Sequence, residues 1–243
     1  MNADCEPSRA ESVSGLERSR LPSAIIIVFL LTCMLAFANR LGAQVAPNWL
    51  NAMVVGIGFA AAVASVAPVL PWSNALVAAG MAVGAGGLAE AASAAVGFPF
   101  ASREFKPVNG PMVFGLVPWW LPMAWGILAL SARGTARLVL YRTREHHFNG
   151  YRVIGLAAAL AGGASLSLEI FATRSAQLWE RGGMSAGSHA TLLLLHLLIQ
   201  IGLTPMLIDK FPGRRPANFL PLWVWGAAVL ILGAGIVEAA VIR

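Results

Sequence analysis

The chain has 243 residues, of which 58% are hydrophobic and only 12% are charged, and its formal net charge is +6. Soluble domains carry about 25% charged residues, so this composition excludes an ordinary soluble protein and indicates a membrane protein. The positive charge does not by itself indicate a nucleic-acid partner, because basic loops also orient membrane proteins and bind anionic lipid headgroups. The two cysteines, Cys5 and Cys33, indicate no disulfide framework.

Several apolar stretches are long enough, at roughly 20 residues, to form membrane-spanning helices. We predict an all-α fold, a polytopic membrane helix bundle of about seven transmembrane helices, as one domain over residues 21–243. Residues 1–20 are polar and carry charges of both signs, which predicts a disordered cytoplasmic tail. The predicted spans are residues 22–39, 49–70, 74–97, 111–131, 151–173, 188–208 and 219–241.

The first span has a second interpretation. Residues 36–39, Ala-Phe-Ala-Asn, resemble a small-residue cleavage site after an apolar core, as in a signal peptide whose removal would take the first 38 residues or so. The acidic residues Glu11 and Glu17 in the preceding tail favour a retained helix instead.

The distribution of lysine and arginine predicts the orientation. With seven spans, eleven basic residues fall on one side of the membrane, chiefly in the tail and in loops 132–152 and 209–218, and six fall on the other. The positive-inside rule then places the N-terminus in the cytoplasm. We expect an integral protein of a bacterial-type cytoplasmic membrane.

Three glutamates lie within the predicted spans, Glu90, Glu169 and Glu238. Their helices run in the same direction, and each glutamate precedes the outer end of its helix by about 7–10 Å, so the three are expected in one layer. Acids inside a membrane usually face the bundle interior, a cavity or a partner. Burial disfavours the charged form of a carboxyl group, which would let one of them hold a proton at neutral pH.

The three glutamates differ in their neighbours. Glu90 has no lysine or arginine one turn away, which makes it the leading functional residue. Glu169 could pair with Arg174, so the sequence supports a structural role and a functional role of Glu169 about equally. Glu238, close to the chain end, is interpreted as an interfacial acid.

Histidines give no strong indication of a cofactor. His189, His196 and Gln200 share one face of the sixth span, which is more typical of an interhelical hydrogen-bond seam than of a polar lining. Two histidines without a third ligand in register are poor evidence for a metal. The sequence contains no dinucleotide, P-loop, zincin or serine-hydrolase motif. We therefore expect no cofactor, no metal and no nucleic-acid partner.

One segment resembles a known family in the order and spacing of its residues. The residues are Glu90, Gly97-Phe98-Pro99-Phe100, Gly110-Pro111, Gly115, Val117-Pro118, Leu121-Pro122 and Trp125. They resemble the integral-membrane carotenoid biosynthesis protein family, which includes carotenoid hydratases such as γ-carotene 1′-hydroxylase and bisanhydrobacterioruberin hydratase.

Two shorter fragments resemble the same family with departures. Glu169 and Phe171 stand in a fragment similar to the family's Asp-Leu-Phe-Leu-Asp-Pro, where Thr173 replaces the second acid. Residues 216–223 resemble its Pro-x-Asn-Phe-x-x-Trp. Residues 101–105, Ala-Ser-Arg-Glu-Phe, stand where the family has Gly-x-Tyr-x-Tyr. The chain is thus identified as a divergent member.

The resemblance implies carotenoid biosynthesis by hydration of a terminal double bond of an acyclic carotenoid end group, without a cofactor. Glu90 would protonate the alkene, and Glu169 would orient or deprotonate the water that captures the tertiary cation. Aromatic side chains would line a slot for the polyene and stabilise the cation. The expected partners are a carotenoid or other polyene lipid and membrane lipids. The candidate substrate-binding residues are Phe98, Pro99, Phe100, Phe105, Trp119, Trp120 and Trp125.

Two functions of other classes remain open on the sequence. A small proton-coupled transporter would use intramembrane glutamate and histidine as a relay, although paired repeats of broken helices are not evident. A non-catalytic scaffold that binds carotenoid or lipid would use Glu90 as a hydrogen-bonded structural residue, and Thr173 at the second acid position favours it.

Overall fold

The structure is a computed structural model that describes residues 22–35, 48–106, 109–140, 149–175, 178–181, 186–207 and 218–241. The predicted tail and residues 36–39 lie outside the described residues. The side chains of Arg174 and Glu238 also lie outside them, so the predicted roles of these two side chains stay predictions.

The described residues form a helical bundle, which confirms the predicted fold class. Helix α5 continues into one π-helical turn, Phe171–Ser175. The helices are α1 (Pro22–Leu35), α2 (Asn48–Val66), α3 (Trp72–Val96), α4 (Trp120–Val139), α5 (Asn149–Ile170), α6 (Ala186–Leu207) and α7 (Leu220–Val241). The short strands are β1 (Arg103–Phe105), β2 (Met112–Val113), β3 (Val117–Pro118) and β4 (Trp179–Arg181).

Length and apolar character identify the helices able to cross a membrane. Within the part of the chain that the structure describes, three helices qualify: Trp72–Val96, Gly150–Thr173 and Ala186–Leu207. Three more are apolar but shorter, Pro22–Leu35, Met53–Val66 and Leu220–Ala234. These apolar helices agree with the membrane protein that the sequence predicts, while the count of seven spans stays a prediction.

The fourth predicted span, residues 111–131, is wrong at its first end. Its opening residues form the β2–β3 hairpin instead of a helix, and α4 begins only at Trp120. At the hairpin tip, Phe114 and Gly115 have φ angles of 52° and 68°, which a right-handed helix does not allow. The residues of this hairpin are as apolar as a span, so hydropathy alone did not separate them.

The same span is also wrong at its second end, because α4 runs to Val139 and includes Arg133. Arg133 is only 4% exposed. Its Nη1 donates a hydrogen bond to the carbonyl oxygen of Gln200 at 2.8 Å. Helix α4 packs against α2, α3, α5 and α7, and a helix enclosed by other helices can carry an arginine that lipid would not accept. Residues 132–139 of the predicted loop 132–152 therefore belong to α4.

The connections after α3 and after α5 meet at one end of the bundle. Helix α3 ends at Val96, and the N–H of Gly97 donates the last helical hydrogen bond to the carbonyl oxygen of Ser93 at 3.0 Å. The left-handed φ of 72° at Gly97 then turns the chain out of the helix. Strand β1 then pairs antiparallel with β4, with Phe105 opposite Trp179. This pairing places the two loops on the same side, as the parallel directions of the third and fifth predicted spans require.

Cysteine labelling tests the orientation of the bundle. In a variant without Cys5 and Cys33, cysteines introduced at Glu104 and Gly150 should react with an impermeant reagent from opposite faces of the membrane, because α4 separates the two positions. Both positions are exposed, and an added Cβ at Gly150 meets no atom within 4 Å. We expect position 150 on the cytoplasmic face. Reaction of both positions from one face would contradict this arrangement.

Candidate active site

Arg103 on β1 joins the two glutamates that the sequence placed at one depth. Its Nη1 donates to Oε2 of Glu90 on α3, and its Nη2 donates to Oε2 of Glu169 on α5 at 2.9 Å. The side chains are buried, with 4% of Arg103 and 3% of Glu90 exposed. Glu90 therefore does have a basic partner, thirteen residues further along the chain. The alternative pairing of Glu169 with Arg174 is not needed to explain the burial of Glu169.

Two tryptophans hold the remaining carboxylate oxygens. Trp125 Nε1 donates to Oε1 of Glu90, and Trp179 Nε1 donates to Oε1 of Glu169, both at 3.1 Å. Each carboxylate thus accepts one guanidinium N–H and one indole N–H. Charge-assisted hydrogen bonds of this kind are stronger and more directional than neutral ones. The arrangement fixes both carboxylates in position.

Aromatic rings enclose the guanidinium group. The Arg103 Cζ atom lies 5.5 Å from the ring centroid of Phe100 and 5.2 Å from that of Trp179, within the range of cation–π attraction. Phe100 in turn stacks on Trp125, with a centroid distance of 6.1 Å and an interplanar angle of 17°. The site therefore already stabilises a cation with two carboxylates and aromatic faces.

The charges of the cluster do not cancel. With all groups ionised, Glu90 and Glu169 contribute −2 and Arg103 contributes +1, so the cluster carries one net negative charge inside an apolar bundle. Binding of one proton to either carboxyl group would make the cluster neutral.

A small cavity lies between the carboxylates. Its volume is about 20 Å³, and its wall includes Glu90, Arg103, Glu169 and Ser165 among apolar side chains. A cavity of this size accommodates a water molecule. It is too small for a carotenoid end group, so a polyene can reach the carboxylates only after the surrounding side chains or the loop before α4 move.

The predicted substrate-binding residues fall into two groups. Phe100 and Trp125 are buried beside the ion pairs, and Trp125 also lines the cavity. Phe105 and Trp120 contact Trp179, with centroid distances of 5.6 and 6.1 Å.

The other three predicted residues make no contact described here with the ion pairs or with Trp179. Phe98 is 69% exposed on the loop, while Pro99 and Trp119 are partly buried and do not line the cavity. Substrate binding by any of the seven residues stays a prediction.

Sequence reasoning missed three residues of the site, Arg103, Trp179 and Ser165. Arg103 is one of the six basic residues that the charge count places on the second side of the membrane, but its position within residues 101–105, where the chain departs from the family pattern, is a signal. Thr173, which stands at the second acid position, donates its hydroxyl to the carbonyl oxygen of Glu169 at 2.7 Å. Its hydroxyl is thus engaged within its own helix.

The sixth helix contains the expected polar seam. His196 and Gln200 are fully buried, and Gln200 Nε2 donates to the carbonyl oxygen of Ala129 on α4 at 2.9 Å. His189, nearer the start of the helix, is only partly buried. Among the described residues, no group of three or more histidine, cysteine or carboxylate side chains is arranged to hold a metal ion.

The family to which the chain belongs follows from a comparison with family models. The model of the carotenoid biosynthesis proteins matches residues 48–188, more than half of the chain, and this range includes Glu90, Arg103 and Glu169. The chain belongs to the carotenoid biosynthesis protein family. Comparisons with curated proteins and with solved structures gave no match. Membership in the carotenoid biosynthesis family supports a role in carotenoid biosynthesis and favours a carotenoid-type substrate over the cargo of a proton-coupled transporter.

Gly86 provides a test of how this carotenoid biosynthesis protein positions Trp125. A Cβ at Gly86, one turn before Glu90, would overlap ring atoms of Trp125, whereas one at Gly84 would meet no atom within 4 Å. Gly86→Ala should therefore lower the free energy of unfolding by about 1–3 kcal/mol through overpacking, as measured by denaturation in detergent. Gly84→Ala is the matched control and should leave it unchanged or raise it. Equal stabilities would contradict the packing described.

Proposed function

We propose that the protein hydrates a terminal double bond of an acyclic carotenoid end group. The observation that supports this function best is the pair of buried carboxylates, Glu90 and Glu169, held at one water-sized cavity in a member of the carotenoid biosynthesis family. Hydration of an alkene needs a proton donor, a proton acceptor and a water molecule, and no electron transfer.

The first step is protonation of the alkene. Glu90 in its protonated form gives its proton to one carbon of the terminal double bond, which leaves a tertiary cation on the other carbon. General acid catalysis of this kind contributes roughly 10²–10⁴-fold to the rate. The neutral cluster becomes negatively charged at the moment the cation forms, so the developing positive charge is stabilised electrostatically. The neighbouring aromatic rings add cation–π attraction.

The second step is capture of the cation by water. A lone pair of the water oxygen forms the new C–O bond, and one proton of that water passes to Glu169. The product is a tertiary alcohol, and the proton has moved in effect from Glu90 to Glu169. Since Arg103 holds both carboxyl groups at one cavity, a second water can return the proton to Glu90 and restore the starting state.

A scaffold that binds carotenoid without reaction is the second candidate. It is favoured by the hydrogen bonds that Glu90 and Glu169 already make, because such a cluster also stabilises the junction of α3, α5 and β1. In a scaffold no proton would be transferred.

One assay separates these functions. Purified protein in liposomes is incubated with an acyclic carotenoid, and the pigments are extracted and analysed by mass spectrometry. A hydratase yields a product heavier by one water molecule. A scaffold retains the carotenoid with its mass unchanged. Absence of both binding and product would contradict a carotenoid substrate.

A further inference from the structure

Ser165 faces the cavity but has no part in the two steps above. It lies one helical turn before Glu169 on α5 and contributes to the cavity wall. Its hydroxyl oxygen is 2.6 Å from Nε2 of His196 on α6. Both side chains are buried, and His196 is completely inaccessible to solvent. A buried serine and histidine therefore adjoin the carboxylate pair.

The hydrogen bond of Ser165 differs from those of other hydroxyl groups in the bundle. Ser131, Ser167 and Thr204 donate to the carbonyl oxygen four residues earlier in their own helix. This is the usual partner of a helical serine or threonine. Ser165 instead contacts an imidazole on a neighbouring helix, so α6 determines the direction of its hydroxyl.

Packing fixes the imidazole. The His196 ring stacks on Trp125, with a centroid distance of 4.4 Å and an interplanar angle of 18°, and Trp125 donates to Glu90. Nδ1 of His196 has no hydrogen-bond partner among the described residues. We assign the hydrogen to Nε2, because buried N–H groups without a partner are rarer than unpaired acceptors. Ser165 then accepts from His196, and its own proton is available to the cavity.

We propose that Ser165, held by His196, positions the water that captures the cation. This inference rests on the proposed hydration. A buried water needs two to four polar partners. The two indole N–H groups are already bound to carboxylates, and the remaining N–H groups of Arg103 belong to a cation, so the Ser165 hydroxyl is the neutral donor on the cavity wall. The water oxygen accepts from Ser165 and donates one proton to Glu169, which leaves a lone pair directed at the cation.

This role predicts a change in product that a purely structural role does not. A tertiary cation that meets no positioned water loses a proton from a neighbouring carbon. That proton returns to the Glu90 carboxylate, and the product is an alkene whose double bond has moved and whose mass equals that of the substrate. The ratio of alcohol to isomerised alkene therefore reports how well the water is held.

The experiment compares Ser165→Ala with Ser165→Thr and with the control Ser167→Ala in the liposome assay. Ser165→Ala should slow alcohol formation about tenfold, as expected for one lost hydrogen bond, and raise the share of isomerised alkene. Ser165→Thr keeps the hydroxyl and should restore the alcohol. Ser167→Ala removes an exposed hydroxyl of the same helix and should match the wild type.

Each result has a distinct meaning. If the wild type forms no alcohol, the proposed hydration is wrong, and this inference is overturned with it. If the wild type forms alcohol and Ser165→Ala gives the same rate and the same product ratio, the inference alone is overturned. If Ser165→Ala does not accumulate, His196→Phe keeps the stacking on Trp125 and removes the bond to Ser165. An unchanged product ratio in that variant would overturn the inference, and more isomerised alkene would support it.

Discussion

An Arg103→Met variant is expected to lose about 3–5 kcal/mol of unfolding free energy, the usual cost of removing one partner from a buried ion pair. Methionine roughly preserves the aliphatic part of the side chain but removes the guanidinium group that Glu90 and Glu169 both contact. Two carboxylates would then face each other in an apolar interior. The expected result is a large fall in the midpoint of thermal or chemical denaturation in detergent, together with loss of any hydration activity.

The chain offers a matched control for this substitution. Lys106 forms an ion pair with Glu180 at 3.1 Å three residues further along the same loop, but its side chain is 36% exposed and that of Glu180 is 74% exposed. Lys106→Met should therefore change stability by less than about 1 kcal/mol. Adding Glu169→Gln to Arg103→Met should recover part of the lost stability, because one unpaired charge is removed. Equal effects of Arg103→Met and Lys106→Met would contradict the description of the buried cluster.

A Glu90→Gln variant is expected to lose hydration by on the order of 10²–10⁴-fold while carotenoid binding is retained. Glutamine has nearly the same volume as glutamate but cannot deliver a proton, so the loss should appear in kcat rather than in KM. The substitution leaves Glu169 and Arg103 as a balanced pair, so no unpaired charge prevents folding. The measurement is single-turnover conversion of an acyclic carotenoid in liposomes.

Glu169→Gln is the matched comparison for Glu90→Gln. Each glutamate side chain accepts one bond from Arg103 and one from a tryptophan, so each substitution disturbs one bond of each kind. A structural role would make the two variants similar in activity and stability. If Glu90 is the proton donor and Glu169 orients or deprotonates the water, the Glu90 variant should be the slower. Full activity of both variants would mean that the proton comes from elsewhere.

Much of the bundle could be predicted from composition and spacing alone. The third span was expected at 74–97 and is found at Trp72–Val96, because Pro71 and Gly97 limit a continuous apolar helix. The start of the fourth helix could not be predicted in this way. Residues 111–119 are apolar whether they form a hairpin or a span, and hydropathy does not encode the positive φ of Phe114.

For the candidate site, the sequence allowed only the depth of its two glutamates in the membrane to be predicted. Glu90 and Glu169 could be placed in one layer from the helical rise. Arg103 could not be placed in this layer, because its position depends on the pairing of β1 with β4. These two strands lie in loops more than seventy residues apart in the sequence. Contacts of this kind between distant segments leave no periodic signal in either segment. For the same reason, the bond between Ser165 and His196 could not be inferred from the polar face of the sixth helix.

The most direct test of the proposed hydration is the reaction of the wild-type protein in water labelled with both deuterium and heavy oxygen. The account predicts an alcohol with one heavy oxygen in its hydroxyl group and one deuterium on the adjacent carbon, because both atoms come from solvent. An alcohol whose oxygen is unlabelled, or whose adjacent carbon carries no deuterium, would show a different reaction. Recovery of the carotenoid unchanged would likewise contradict catalysis by the Glu90–Arg103–Glu169 cluster.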